Sequence, residues 1–395
     1  MAADRVITRD FSLAWLASFF EGLSWSLFIH LAGFLALLGA SETQIGWIFG
    51  VSAAVAVAIR PIIGRAMDTY GRMPVIHVGN VLNVVAVLLY FTVTTIGPWV
   101  YFVRILQALA LATLFSALFT YGADVVPESR RTEGFALFGV SGLLPLAVAG
   151  ILGDIILDVA GYDQLFMVAA ACAVAALVLS LLLPERKPDH IEGEGPRGFL
   201  SVVRSGRLRP IWFLVGGFAF VLTAYFVFLR TYVDETGIGS VGVFFGAYAA
   251  TAILLRIFLG WLPERIGRKR VLFPALAAFA AGLLLLAGAG STAVFAIAGV
   301  LCGAGHGFGF PILSSYVVER ATVSDRGSSM SFFTALFDLG QLAAGPILGL
   351  LIAGLGYSAM FAFSAALITV VTIIFAIWDR GADAAHAVPQ TPVAT

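Results

Sequence analysis

Long apolar segments separated by short polar stretches run through the whole chain of 395 residues. Each is about 20 residues long, so a helix that rises 1.5 Å per residue can cross about 30 Å of hydrocarbon. We count twelve, near residues 11–37, 44–66, 73–94, 97–121, 132–157, 162–183, 209–233, 238–262, 270–289, 293–318, 328–353 and 356–378. The mean hydropathy of +0.98 is too high for a surface in contact with water. The pattern predicts an all-α integral membrane protein with twelve transmembrane helices, numbered here span 1 to span 12.

Basic residues lie almost entirely on one side of the predicted membrane. Nineteen of the 23 Lys and Arg residues fall before span 1, after the even-numbered spans or in the tail, and the loops that follow the odd-numbered spans contain none. Because positive charge marks the cytoplasmic side, we expect a multi-pass protein of the plasma or inner membrane with both termini in the cytoplasm. The formal net charge is zero, which gives no reason to expect a nucleic-acid partner.

The first half of the chain is repeated in the second. The stretch GRAMDTYGRMPV at 64–75 aligns with GWLPERIGRKRV at 260–271. At an offset of 196 the matched pairs are Arg60 and Arg256, Gly64 and Gly260, Asp68 and Glu264, Gly71 and Gly267, and Arg72 and Arg268; at an offset of 195 they include Tyr121 and Tyr316, Asp124 and Glu319, and Gly150 and Gly345. A duplicated unit of six spans gives two parallel halves with a cavity between them. We expect one half at 1–183, a cytoplasmic linker at 184–209, a second half at 210–379 and a cytoplasmic tail at 380–395.

The repeated loop resembles a motif of the major facilitator superfamily, in which glycine, aspartate and glycine-arginine follow span 2 and recur after span 8. In addition, RILQALALA is similar to the Arg-x-x-Gln-Gly signature of span 4, although Ala108 replaces the final glycine. GLLPLAVAGILG at 142–153 and DLGQLAAGPILG at 338–349 resemble an imperfect antiporter signature. The chain is thus similar to the bacterial proton-coupled drug and solute efflux branch of this superfamily. The resemblance implies two six-helix halves around a central cavity.

The resemblance also implies a latch at the cytoplasmic ends of the helices. Its residues are Gly64, Asp68, Gly71, Arg72 and Asp124 in the first half, and Gly260, Glu264, Gly267, Arg268 and Glu319 in the second. Arg72 is expected to pair with Asp124, and Asp68 to brace the start of span 11, in the outward-open state only. Breaking these contacts lets the halves rock. Anchoring to the membrane surface is the alternative role, and for Arg60 and Arg256 anchoring and function are both open.

Ionisable side chains inside the spans are candidates for function because charge is costly in a membrane. Glu21, His306 and Asp338 each lie about 15 to 20 Å from a predicted helix end and are candidates for proton coupling. Glu21 is favoured, since desolvation of a carboxyl disfavours its charged form. The alternatives are a hydrogen bond to a neighbouring helix for Glu21, a core position for His306 and pairing with an arginine for Asp338.

Other polar side chains are candidates for the wall of a substrate cavity. The resemblance implies that spans 1, 4, 7 and 10 line this cavity, which places His30, Arg104, Gln107 and Tyr225 beside it. Cys172 and Cys302 lie inside apolar segments and are interpreted as packing residues. We expect no metal and no cofactor.

The sequence favours a secondary transporter that exports a small organic solute in exchange for protons, acting as a monomer in the lipid bilayer. Proton-coupled uptake and facilitated diffusion of a small metabolite are the alternatives, and a receptor that does not transport is a distant one. A phosphate-binding loop of the G-x-x-x-x-G-K-[ST] type is absent, so the sequence provides no ATP site. Clusters typical of hydrolytic or metal-dependent catalysis are also absent from the sequence, so we do not expect an enzyme.

Overall fold

The computed structural model describes residues 6–126, 131–185, 202–321 and 326–386, and within these ranges the regular secondary structure is entirely helical. In the N-terminal half, span 1 covers Arg9–Leu37, span 2 Glu42–Tyr70, span 3 Arg72–Leu89, span 4 Pro98–Val125, span 5 Arg131–Val159 and span 6 Tyr162–Leu181. In the C-terminal half, span 7 covers Arg209–Thr236, span 8 Val241–Leu259, span 9 Arg268–Ala287 and span 10 Thr292–Arg320. Spans 11 and 12, at 326–355 and 357–386, are joined at a kink where Gly356 has a φ of 80°. The prediction of twelve apolar helices in two halves is therefore confirmed.

Local sequence explains where several spans begin. The Ser41 side chain accepts a hydrogen bond from the backbone N–H of Gln44, and the Gln44 side chain accepts one from the backbone N–H of Ser41. This reciprocal capping box fixes the start of span 2. The hydroxyl groups of Ser240 and Ser291 cap spans 8 and 10 in the same position. These caps satisfy backbone donors that the first turn of a helix leaves without a partner.

Both copies of the loop motif have a glycine at the same position, between the end of one helix and the start of the next. Span 2 ends at Tyr70 and span 3 begins at Arg72, because Gly71 adopts a φ of +96° between them. Gly267 adopts a φ of +101° at the equivalent position before span 9. Residues with a Cβ atom strongly disfavour this conformation, so glycine is required in both copies.

Each chain half contacts the other mainly through two crossed pairs of helices. Span 2 packs on span 11, and span 5 packs on span 8. A Cβ atom added to Gly46 would lie 2.5 Å from the backbone carbonyl carbon of Gly345, and one added to Gly150 would lie 3.2 Å from the Cα atom of Gly242. Small residues allow such close backbone approach between membrane helices. We call these two contacts the glycine seams.

The glycine seams lie at the end of the bundle opposite to the chain termini. We call this the distal end, and the end that carries the duplicated loop motifs the basic end. At the basic end, a Cβ atom on Gly64 would meet nothing within 4 Å, and one on Gly260 would meet only the backbone of Arg256 in its own helix. Among the side chains that the structure describes, these two latch glycines thus provide no close approach between the halves of the kind seen in the seams. The close backbone contacts between the halves that the structure describes therefore lie at the distal end.

The residues that the structure describes include only some of the predicted domain boundaries. Most of the linker at 184–209 falls in the gap at 186–201, outside the described residues. The helix of span 12 continues to His386, beyond the predicted end of the second half at 379. The predicted tail at 380–395 is described only as helical backbone up to residue 386.

Candidate functional site

At the distal end, Asp154 of span 5 joins the N-terminal half to the C-terminal half. Its Oδ2 atom accepts a hydrogen bond of 2.6 Å from the backbone N–H of Gly242, in the first turn of span 8. Its Oδ1 atom lies 3.4 Å from Nη1 of Arg230 on span 7, and Arg230 also pairs with Asp234 at 2.7 Å. A carboxylate that accepts from both a guanidinium and a helix N-terminus makes strong charge-assisted contacts. Asp154 therefore reinforces the seam between spans 5 and 8.

Glu42 has the equivalent role beside the other seam. It opens span 2, and its Oε1 atom accepts a hydrogen bond of 2.6 Å from the hydroxyl of Tyr357 in span 12. Its Oε2 atom accepts one of 3.3 Å from the hydroxyl of Thr231 in span 7. We call Glu42, Asp154 and these partners the distal gate. Neither acid was predicted as a functional residue, because charged side chains near helix ends are common. The sequence feature that could have indicated Asp154 is Gly150, which lies one turn earlier on the same helix.

Nearer the middle of the bundle, an ion pair connects the two halves directly. Nη2 of Arg60 on span 2 lies 2.7 Å from Oδ2 of Asp338 on span 11, and Nη1 donates to the Thr334 hydroxyl at 3.2 Å. The two charged side chains keep 12% and 23% of their surface exposed. Pairing of Asp338 with an arginine was one of the predicted alternatives, and the structure identifies that arginine as Arg60.

The arginine equivalent to Arg60 in the other half has different surroundings. Arg256 of span 8 is partly exposed, and its Nε atom donates to the backbone carbonyl of Gly307 on span 10 at 3.4 Å. Next to it, the Nδ1 atom of His306 forms a hydrogen bond with the hydroxyl of Tyr248. His306 is also partly exposed. It thus keeps part of its surface exposed beside Arg256 in the C-terminal half.

Glu21 lies on the buried face of span 1. Only 7% of its surface is exposed, and the described residues provide it with no hydrogen bond or ion pair. Ser24, on the same face, accepts a hydrogen bond of 3.4 Å from Asn83 of span 3, and Phe28 stacks on Phe166 of span 6. The face of span 1 that carries Glu21 therefore packs against spans 3 and 6 of the N-terminal half.

The four predicted cavity residues are buried inside the halves and not exposed on a cavity wall. Gln107 accepts hydrogen bonds through Oε1 from Arg104 at 2.7 Å and from the Tyr90 hydroxyl at 2.9 Å. Arg104 is buried and stacks 4.3 Å from the centre of the Phe49 ring. This network holds spans 2, 3 and 4 together.

His30 and Tyr225 are likewise enclosed. His30 is fully buried at the distal end, with Nδ1 3.9 Å from Oδ1 of Asp154. Tyr225 is buried in the C-terminal half, where its hydroxyl lies 3.5 Å from that of Tyr248. Aromatic and polar residues in the first and seventh spans pack against neighbouring helices as readily as they face a cavity, and the sequence does not distinguish these faces.

The predicted latch pairs are formed, but each lies within one half. Nε of Arg72 is 3.1 Å from Oδ2 of Asp124. In the second half, Arg268 pairs with Glu319 and, at 3.3 Å, with Glu264. Both pairs are present while the distal gate is closed, contrary to the expectation that they exist only in the outward-open state. Since each pair moves with its own half, rocking need not break it. The side chain of Asp68 and the start of span 11 lie outside the described side chains.

Together these features define a helical membrane transporter with two similar halves, closed at one end by apposed glycines and an acid-based gate. A family model described as Major Facilitator Superfamily matches residues 14–262 and 236–393. The chain belongs to this superfamily. It is a multi-pass membrane protein that transports small solutes and is not an enzyme.

Several relatives have names that refer to export or resistance. The staphylopine export protein of Staphylococcus aureus is 22% identical over 355 residues, which cover 85% of this chain and 87% of the relative. The class G tetracycline resistance protein of Vibrio anguillarum is 25% identical over 81% of each chain. The multidrug resistance protein MdtG of Serratia proteamaculans is 23% identical, and the alignment covers 94% of this chain and 93% of the relative.

Solved structures show the same fold at low sequence identity. The nucleoside transporter NupG superposes with a TM-score of 0.77 at 14% identity, over 94% of this chain and 100% of the other. The POT family transporter PepTSo superposes with a TM-score of 0.78 at 13% identity, over 95% of this chain and 98% of the other. At these identities the likeness supports the fold and not the substrate.

Proposed function

We propose that this protein exports a small organic solute across the plasma or inner membrane in exchange for protons. The excess of basic residues at one end orients that end toward the cytoplasm. The close packing of the halves at the opposite end, where the distal gate lies, supports a state that is closed toward the outside. The named export and resistance proteins among the relatives support the outward direction.

The observation that carries proton coupling is the ion pair between Arg60 and Asp338. It connects the two halves inside the membrane, and both side chains are partly exposed. A proton bound to Asp338 removes the negative charge that holds Arg60. Protonation therefore changes the free energy of contact between spans 2 and 11, which is the differential interaction that any coupled conformational change requires.

This arrangement gives an order of events for exchange. In the inward-open state the positive charge of Arg60 stabilises the Asp338 carboxylate, so the proton is released to the cytoplasm. Solute then binds from the cytoplasm, the distal gate opens, and solute leaves to the outside. A proton from outside binds Asp338, and the protonated carrier returns. The surroundings favour Asp338 over Glu21 for this role, because the face of span 1 that carries Glu21 packs inside one half, whereas Asp338 joins the two halves.

Everted membrane vesicles with an inwardly directed proton pump test this function. Their interior becomes acidic, and the quenching of a ΔpH-sensitive acridine dye reports the gradient. A panel of solutes that begins with tetracycline, the compound named for one relative, is added from outside. Antiport predicts that a transported solute dissipates the gradient and accumulates in the vesicles. Accumulation that is independent of the gradient indicates facilitated diffusion, and inhibition of accumulation by the gradient indicates coupled uptake; either contradicts the proposal.

A further inference from the structure

The two arginines that the repeat places at equivalent positions differ in how their charge is balanced. Arg60 is neutralised by Asp338 at 2.7 Å. Arg256 makes a single hydrogen bond, to the carbonyl of Gly307, and has no acidic partner among the residues that the structure describes. An unbalanced guanidinium inside a membrane protein is costly and is therefore a candidate for ligand binding.

The helix contacts indicate the direction in which Arg256 points. In span 2, Gly46, Gly50 and Arg60 lie on one stripe with the spacing of a helix face, and all three meet span 11. In span 8, Gly242 and Gly246 lie on the corresponding stripe and meet Ile151 of span 5.

Arg256 continues the stripe of Gly242 and Gly246 toward the basic end, at the position equivalent to Arg60. It therefore lies on the face of span 8 that is directed toward span 5.

Span 5 offers no acid at the position where Arg256 would meet it. At the repeat offset of 195, Asp338 corresponds to Leu143 and Thr334 to Gly139. A Cβ atom added to Gly139 or to Gly142 would meet nothing within 4 Å. The position at which the other half has the acid of an ion pair is therefore occupied by a buried apolar side chain, Leu143, with open space at two neighbouring glycines.

Arg256 does not reach the membrane surface, as an anchoring residue would. Its partner Gly307 lies thirteen residues before the end of span 10 at Arg320, about 20 Å along the helix axis. A side chain that snorkels extends toward the headgroups. The Arg256 side chain instead donates to the backbone carbonyl of Gly307, the residue next to His306.

We propose that Arg256, with His306 beside it, forms a subsite for the anionic group of an organic solute that carries a carboxylate and an aromatic body. This inference rests on the proposed transport function. Phe218 and Phe310 have their ring centres 5.8 Å from the His306 ring, and Phe310 is partly exposed. A guanidinium binds a carboxylate through two parallel hydrogen bonds, while aromatic rings accept a planar apolar body. The carboxylate of the ligand provides Arg256 with a negative counter-charge, as Asp338 does for Arg60.

Matched pairs of acid and amide test the subsite in purified protein without any proton gradient. The probes are benzoate with benzamide and indole-3-acetate with indole-3-acetamide, and thermal unfolding is followed by tryptophan fluorescence. Each carboxylate should raise Tm more than its amide in the parent protein. Arg256→Met should weaken carboxylate binding on the order of tenfold or more, since a charge-assisted hydrogen bond contributes about 1.5 to 3 kcal/mol. Arg256→Lys should retain part of the preference.

A second variant places an acid where the repeat lacks one. Leu143→Asp should pair with Arg256 and abolish the preference for carboxylates, whereas the matched control Leu143→Asn should keep it. Equal stabilisation by acid and amide in the parent, or a preference that survives Arg256→Met, would overturn the proposal. Failure here leaves proton exchange standing, because that function is measured separately in vesicles and depends on Asp338.

Discussion

The glycine seam between spans 2 and 11 makes a sharp prediction about the closed distal end. A Cβ atom on Gly46 would lie 2.5 Å from the carbonyl carbon of Gly345 and 3.0 Å from the nitrogen of Pro346. Both are backbone atoms, which cannot rotate away as a side chain can. Gly46→Ala should therefore push the distal ends of the two halves apart.

The expected magnitude follows from the cost of overpacking. Extra methyl groups in a well-packed interface cost about 1 to 3 kcal/mol. The gain in helix propensity from glycine to alanine applies to every state in which span 2 is helical, so it cancels between the open and closed states. A difference of about 1 to 3 kcal/mol shifts the ratio of distally open to distally closed molecules by about 5- to 150-fold.

Distances between spin labels at the distal end measure this shift. Leu37 of span 1 and Leu355 of span 11 are 76% and 71% exposed, so cysteines there accept labels without disturbing the core. Pulsed electron paramagnetic resonance should show a longer distance becoming dominant in Gly46→Ala. Gly354→Ala is the matched control, because a Cβ there would meet nothing within 4 Å. A distance distribution identical to that of the parent would refute the argument that this seam limits closure.

Three further predictions concern the gate, the buried acid and the loop motif. Asp154→Asn removes the charge that faces Arg230 and should favour the distally open state in the same spin-label measurement. The double variant with Arg230→Gln should show a similar shift in label distance, because both changes act on one contact. Glu21→Gln should leave proton exchange in vesicles intact, since the face of span 1 that carries Glu21 packs within the N-terminal half; loss of exchange would transfer the coupling role to Glu21. Gly71→Ala forces a φ of +96° on a residue with a Cβ atom and should lower the free energy of unfolding by about 1 to 2 kcal/mol, measured by thermal unfolding; an unchanged Tm would argue against the backbone requirement.

The architecture was predictable from the sequence because the bilayer imposes strong rules on it. Apolar length determines the number of spans, and the six-span repeat determines the relation of the halves. Gly150 and Gly345 were identified as a matched pair, and the structure places both in the glycine seams. Such features depend on residue type along one helix, which a sequence displays directly.

Functional faces were harder to predict, because they depend on how helices are rotated about their axes. Arg104 and Gln107 were expected beside a cavity; they lie three residues apart on one helix face, but this face is buried against Tyr90. The partner of Asp338 could not be derived, since Arg60 lies 278 residues away in the other half. Alignment of the repeats did place Arg60 and Arg256 at equivalent positions. Only the structure shows that, among the residues it describes, Arg60 has an acidic partner and Arg256 has none.

The most direct test of proton coupling compares Asp338→Asn with Asp158→Asn, which removes an exposed acid near the end of span 5. Everted vesicles are energised to the same pH gradient, and dissipation of the gradient is recorded after addition of a solute that the parent transports. We predict that Asp338→Asn no longer couples solute entry to proton release and still equilibrates solute down its own gradient, whereas Asp158→Asn behaves like the parent. Proton exchange in Asp338→Asn equal to that of the parent would contradict the account.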